Sequence, residues 1–158
     1  MKKVNISDLL IYVISAELAG AASAFFTGGF SDFFVKFKKP PLLPPGWLFP
    51  VVWVILYAVM GVSAYMIYSA GSSKSKGALT VYWAQLFLNF WWSIIFFRFE
   101  ALWTAAAVIA ALWILILMMI VKFNIIKPLA GRLNIPYLLW VTFAAYLNIA
   151  TAVINANR

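Results

Sequence analysis

Residues 78–97 read ALTVYWAQLFLNFWWSIIFF, twenty positions in a row without a charged side chain. A helix rises about 1.5 Å per residue, so a run of this length crosses about 30 Å of hydrocarbon. Gln85, Asn89 and Ser93 recur within it at i, i+4 and i+8 and share one face, with Trp92 and Phe96 beside them. A barrel strand would alternate and be half as long, so a spanning helix is predicted. Four further segments meet the same length: 7–27, 46–68, 101–121 and 134–155. The expected fold is all-α: an integral membrane bundle of five transmembrane helices, one domain over 1–158. The first segment is too long for the apolar core of a cleavable signal peptide and carries Glu17 at its centre.

Composition agrees. Hydrophobic residues make up 66% of the 158 positions and charged residues 10%, with a mean hydropathy of +0.98. Soluble domains run nearer 45–50% apolar and about 25% charged, so a water-soluble globule is excluded. The chain has no Cys and no His. A disulfide framework, a zinc site of the usual ligands, a catalytic thiol and a Ser-His-Asp triad are therefore all ruled out. No metal site is expected. The net charge of +8 comes from cations scattered singly or in threes between apolar runs. That pattern suits lipid headgroups, and no nucleic-acid partner is expected.

The connections differ in kind. The second, 70–77, is a short polar link, and the third is only Arg98-Phe99-Glu100, which implies a tight antiparallel pair. The fourth holds Lys122, Lys127, Pro128, Gly131 and Arg132. The first, from Gly28 to Pro45, is long, aromatic (Phe30, Phe33, Phe34, Phe37) and basic (Lys36, Lys38, Lys39), and it ends in Pro40-Pro41 and Pro44-Pro45. Prolines lower the entropy of a free loop, so this segment is expected to be an ordered lid over a cavity. Seven basic residues fall on the side of the N-terminus and the second and fourth links: Lys2, Lys3, Lys74, Lys76, Lys122, Lys127 and Arg132. Lys36, Lys38, Lys39, Arg98 and Arg158 fall on the other, so the positive-inside rule favours a cytoplasmic N-terminus.

Polar groups at membrane depth are site candidates, because each needs a partner or a cavity. Glu17 is either protonated or paired with a neighbouring helix, and its simplest role is glue between helices. The Gln85/Asn89/Ser93 stripe makes interhelical hydrogen bonds, lines a ligand cavity, or both. Trp140, Ala144, Asn148 and Thr151 form a second inward stripe, and Trp53 and Tyr57 a third. Flat rings interleaved with a few amides and hydroxyls suit a flat apolar ligand with polar edges. Trp47, Tyr82, Trp83 and Trp103 sit near span ends and read as interfacial anchors. Ala16, Gly20 and Ala24, like Ser15, Ala19 and Ser23, permit close helix packing, within the bundle or in a dimer.

Several of these fragments occur in a known order: Glu17-Leu18-Ala19-Gly20, Lys39-Pro40 with Pro44-Pro45-Gly46-Trp47, then Val52-Trp53 with Leu56-Tyr57 and Gly61. Gln85-Leu86, Leu88-Asn89, Trp92-Ser93 and Phe96-Phe97 follow, then Pro136-Tyr137-Leu138-Leu139-Trp140 with Phe143-Ala144 and Leu147-Asn148. Over essentially its whole length the chain resembles the translocator protein family, also called tryptophan-rich sensory proteins or peripheral benzodiazepine receptors. The resemblance implies a five-helix bundle, usually a homodimer, that binds porphyrins such as protoporphyrin IX and other flat hydrophobic molecules. It implies a pocket of Pro44, Trp53, Tyr57, Asn89, Trp92, Ser93, Trp140 and Ala144. No cofactor is required, porphyrin entering as ligand, and the implied location is a multi-pass position in a prokaryotic cell membrane, among lipids.

The sequence departs from the family at some positions. The first loop has Phe33-Phe34 where a Trp-Tyr pair is usual, and Leu42 where a ring is common. Ile149-Ala150 replaces the tyrosines of the animal cholesterol pattern, so cholesterol is not expected. Without His or Cys as axial ligand, metal-free porphyrin is a better candidate than haem. The expected activity is binding, sensing or transport of a tetrapyrrole. The alternative is light- or oxygen-dependent porphyrin breakdown, with Trp53 and Trp140 as the catalytic candidates.

Overall fold

The computed structural model describes residues 4–28, 33 and 35–157. Lys2, Lys3 and Arg158 of the charge comparison, and Phe30 and Phe34 of the first loop, lie outside the described residues. Among the described residues these α-helices follow one another: α1 (Ile6–Thr27), α2 (Leu48–Ser69), α3 (Ser75–Ser93), α4 (Leu102–Ile126), α5 (Pro128–Arg132) and α6 (Ile135–Ile154). A π-helical turn, Ile94–Arg98, extends α3. Counting α3 with its turn and α5 with α6, five helical segments are long and apolar enough to cross a membrane. The architecture is the expected all-α one, and no strand occurs among the described residues.

Local chemistry sets the helix ends. Asn5 caps α1, its Oδ1 accepting from the backbone N–H groups of Ser7 (3.1 Å) and Asp8 (3.4 Å). Pro128 opens α5, where its fixed φ suits a helix start and its missing N–H leaves nothing unsatisfied. Two boundaries differ from the sequence reading. Residues 75–77 are helical instead of linker, because the Ser75 hydroxyl donates to the Ile67 carbonyl at 2.8 Å and draws the start of α3 onto the end of α2. The fourth link nearly vanishes: α4 runs on through Lys122 to Ile126, with Phe123 fully buried, and 128–132 is itself helical.

Packing is sequential and antiparallel. α1 lies against α2 and α3, α3 against α4, and α4 against α6. The core runs along α3 and α4, through Tyr82, Leu86, Leu112, Ile116, Met119 and Phe123. Tyr82 is therefore no interfacial anchor. It is 0% exposed and packs its ring against Trp83 at 5.0 Å, because position 82 falls on the same inward stripe as Gln85 and Asn89. Trp47, Trp83 and Trp103 do face outward. α1 is the most peripheral helix, burying only Ala16, Ser23 and Thr27.

The described part of the first loop is ordered. Phe33 is 4% exposed and packs against Phe37 (4.6 Å between centroids), Phe96 (4.8 Å) and Phe97 (5.1 Å). Lys36 pairs with Glu100. Asn155 grips the Lys38 backbone twice: its Oδ1 accepts from the N–H (3.0 Å) and its Nδ2 donates to the carbonyl (3.2 Å). Tyr146 Oη donates to the Pro41 carbonyl at 3.2 Å. The loop is thus tied to the ends of α3 and α6.

α1 meets α2 most closely at Gly61, where a Cβ would lie 2.5 Å from Val13 Cα and 2.8 Å from the Tyr12 carbonyl oxygen. Neither backbone atom can move aside, so Gly61→Ala is expected to lower stability by about 1–3 kcal/mol. Gly77→Ala, whose Cβ meets open space, should be neutral or stabilising. Thermal unfolding of the two variants in detergent checks the contrast.

Candidate functional site

The stripe on α3 is fully engaged. Asn89 Nδ2 donates to Tyr137 Oη at 3.1 Å, and that hydroxyl donates to Gln85 Oε1 at 2.7 Å. Gln85 in turn directs its Nε2 at Met60 Sδ, 3.7 Å away on α2. One turn on, Trp92 Nε1 donates to Asn148 Oδ1 (3.1 Å), while Asn148 Nδ2 donates to the Leu102 carbonyl (2.9 Å). Ser93 Oγ is bonded to Ser23 Oγ, and Ser23 also reaches the Phe90 carbonyl at 3.1 Å. These bonds satisfy buried groups that would otherwise each cost about 1–3 kcal/mol. They also fix which side chains face inward.

Between α1, α2, α3 and α6 lies a cavity of about 160 Å³. Seven of the eight expected pocket residues border it: Trp53, Tyr57, Asn89, Trp92, Ser93, Trp140 and Ala144. Pro44 does not, because Pro44-Pro45 precedes α2 and the wall at that level comes from Phe49 and Pro50. Of the second stripe, Trp140 and Ala144 reach the cavity. Asn148 is taken up by Trp92, and Thr151 by the Leu147 carbonyl at 2.7 Å.

The rings form a connected wall. Trp53 stacks on Tyr57 at 5.5 Å and 28°, and stands 6.5 Å from Trp92. Phe49 meets Trp140 edge-on at 5.8 Å. The π-helical turn places Phe97 on the wall, and Phe33 of the first loop packs against it. Such turns insert one residue per turn and re-aim the side chains after them. Sequence reasoning missed the α1 wall. Glu17, Gly20, Ser23, Ala24 and Thr27 border the cavity, although the small residues read as packing and Glu17 as glue. Their shared spacing of three and four, with a carboxyl among them, was the available signal.

The sequence model of the TspO/MBR family matches residues 11–154. The chain belongs to the TspO/MBR family. It is 33% identical to the Protein CrtK of Rhodobacter capsulatus over 150 residues, 94% of this chain and 92% of that protein. It is 34% identical to the Tryptophan-rich protein TspO of Chlorobaculum tepidum over 137 residues, 85% and 87% of the two chains. With the Translocator protein of Bos taurus it shares 30% over 141 residues, 87% and 83%. Family and helices together make this an integral, multi-pass membrane protein.

In this TspO/MBR member, the Tyr57 hydroxyl, the Trp140 N–H and the Glu17 carboxyl border the cavity apart from the bonded stripe. Trp140 Nε1 is buried and has no hydrogen-bond partner among the described residues. No hydrogen bond or ion pair among them reaches the Glu17 carboxyl either. No group of three His, Cys, Asp or Glu side chains comes together among the described residues. The chemistry available at the cavity is ring stacking plus a few directed polar contacts.

Tyr137 is the pivot of the Gln85–Asn89 network and is 1% exposed. Tyr137→Phe should leave both amides short of a partner and lower stability by about 1–3 kcal/mol. Denaturation monitored by near-ultraviolet circular dichroism reads the loss.

Proposed function

We propose that the cavity binds a flat hydrophobic ring ligand of the tetrapyrrole class, metal-free protoporphyrin IX being the first candidate, in a prokaryotic cell membrane. The observation carrying this reading is the enclosure of one void by Trp53, Tyr57, Trp92 and Trp140, with the Asn89 amide at its edge. Ring faces at stacking distance reward a planar guest, each aromatic pair adding about 1 kcal/mol beyond area burial. Lys38 and Lys39 are exposed on the lid, where carboxylate substituents of a ring would meet them. The names of the relatives, sensory and translocator protein, agree with capture of a small molecule.

The volume adds a mechanical condition. About 160 Å³ is the room of a benzene-sized guest, whereas sites for drug-sized ligands run to about 300–1,000 Å³. A macrocycle therefore enters only when a wall yields. α1 is that wall, since of the four helices around the void it buries the fewest residues, and its side-chain bond to α3, from Ser23, lies near its C-terminal end. Entry then proceeds from the bilayer, past α1, with the lid still tied down by Asn155.

Titration of the purified protein in nanodiscs with protoporphyrin IX, read by tryptophan quenching, tests the site. Trp53→Ala and Trp140→Ala are expected to weaken binding about tenfold or more. Trp103→Ala, whose ring is 59% exposed on the outer surface, should leave it unchanged. Equal affinity in all three variants places the ligand elsewhere. Ser23→Ala removes the α1–α3 latch, and stopped-flow mixing should show protoporphyrin associating several-fold faster than with the wild type.

A further inference from the structure

Glu17 sits about midway along α1 and borders the cavity, and no group among the described residues neutralises it. A carboxylate at such depth is costly to insert, so an unpaired one marks a functional position. Its surroundings say what it faces. One turn on, Gly20 has no Cβ because the Tyr57 ring lies there: a Cβ would collide with Tyr57 Cε2 and Cδ2. Trp53 stacks on that ring, and Trp92 stands beyond it. One carboxylate beside several aromatic faces, in a cavity that is otherwise apolar, is the composition that recognises an organic cation. The ring quadrupoles attract the positive charge, the carboxylate neutralises it, and the exclusion of water strengthens both.

We infer that the α1 side of the cavity is a cation subsite for the protonated amine or quaternary ammonium of an aromatic ligand, with Glu17 as counter-ion and Tyr57 and Trp53 as the ring faces. This rests on the reading of the cavity as a ring-ligand site and adds the charge that the ligand carries. The buried Trp140 N–H, on the α6 wall, supplies a donor for an acceptor atom on the same ligand. About 160 Å³ takes a single ring bearing an aminomethyl group as it stands, and a larger flat cation enters as the macrocycle does, when α1 yields. Carboxylate-bearing ligands turn their acids the other way, toward Lys38 and Lys39 on the lid.

The test compares 1-pyrenemethylammonium with its neutral counterpart 1-pyrenemethanol, bound to the full chain in phosphatidylcholine nanodiscs and corrected for partition into empty discs. Energy transfer from tryptophan to pyrene reports binding. Wild-type protein should prefer the ammonium probe by about tenfold or more. Glu17→Gln, which keeps the side chain's shape, should abolish that preference while leaving pyrenemethanol affinity within about twofold. Equal wild-type affinity for the two probes overturns the cation subsite without needing any variant, as does a Glu17→Gln preference equal to wild type. In either case, weaker binding of both probes to Trp53→Ala leaves the ring site standing. If Trp53→Ala changes neither probe, the cavity is not where rings bind and both readings fall.

Discussion

Hydrocarbon offers no water to a stranded hydrogen-bonding group, so every amide and hydroxyl inside a bilayer must find its partner within the protein. In this bundle that condition selects the arrangement of helices. Asn89 and Gln85 of α3 close on Tyr137 of α6, while Trp92 of α3 reaches Asn148 of α6, which passes the connection to the Leu102 carbonyl of α4. Asn134, just ahead of α6, donates to Ser63 of α2 at 2.8 Å. Four helices are cross-linked in this way at several levels. α1 is bonded to the rest at few points, chiefly Ser23 one turn before its C-terminal end and the Asn5 N–H on Tyr65 Oη at its start. The cavity lies between α1 and the inward faces of α2, α3 and α6.

The spans and the inward stripes were legible because they depend on runs and spacings that only one geometry satisfies. A polar group every fourth residue in an apolar helix has one side to turn to, and Gln85, Asn89 and Ser93 all turn there. What could not be read was how each polar group is spent. Asn89 and Asn148 look equivalent in sequence, yet one borders the void and the other is consumed by an indole from a neighbouring helix. That distinction depends on the rotation of α6 relative to α3, a tertiary quantity. Helix boundaries were misjudged where charged residues signalled a loop. Lys122 lies on α4 because Phe123 beside it is buried, and burial of a ring outweighs a charge that can reach toward the headgroups.

The lid shows how a departure from the family pattern can leave the architecture intact. A phenylalanine stands at position 33, and its ring is buried in a cluster with Phe37, Phe96 and Phe97. Two of those partners belong to the π-helical turn, whose wider winding brings successive side chains, Phe96 and Phe97, onto the same ring. No local sequence cue marks that turn, since IIFFR would suit an α-helix as well. Aromatic packing therefore holds this end of the molecule, and the polar fastening is to the chain itself: Asn155 and Tyr146 bind backbone atoms of the loop, which any side chain there would present.

The rule that organises the bundle has few exceptions among the described residues: Tyr82 Oη and Asn134 Oδ1 lie away from the cavity, and two others share it. A carboxyl on α1 and an indole N–H on α6 border one void without partners, while the polar groups between them are tied to one another. A group that served only packing could be replaced by an apolar side chain at a gain in stability. The two at the cavity border a space lined by four aromatic rings, and they are complementary in kind, one an acceptor and the other a donor. A molecule that occupied the space and matched both would supply the hydrogen bonding the protein leaves unmade. The stabilisation forgone in the empty bundle would then return as affinity for that molecule and for few others.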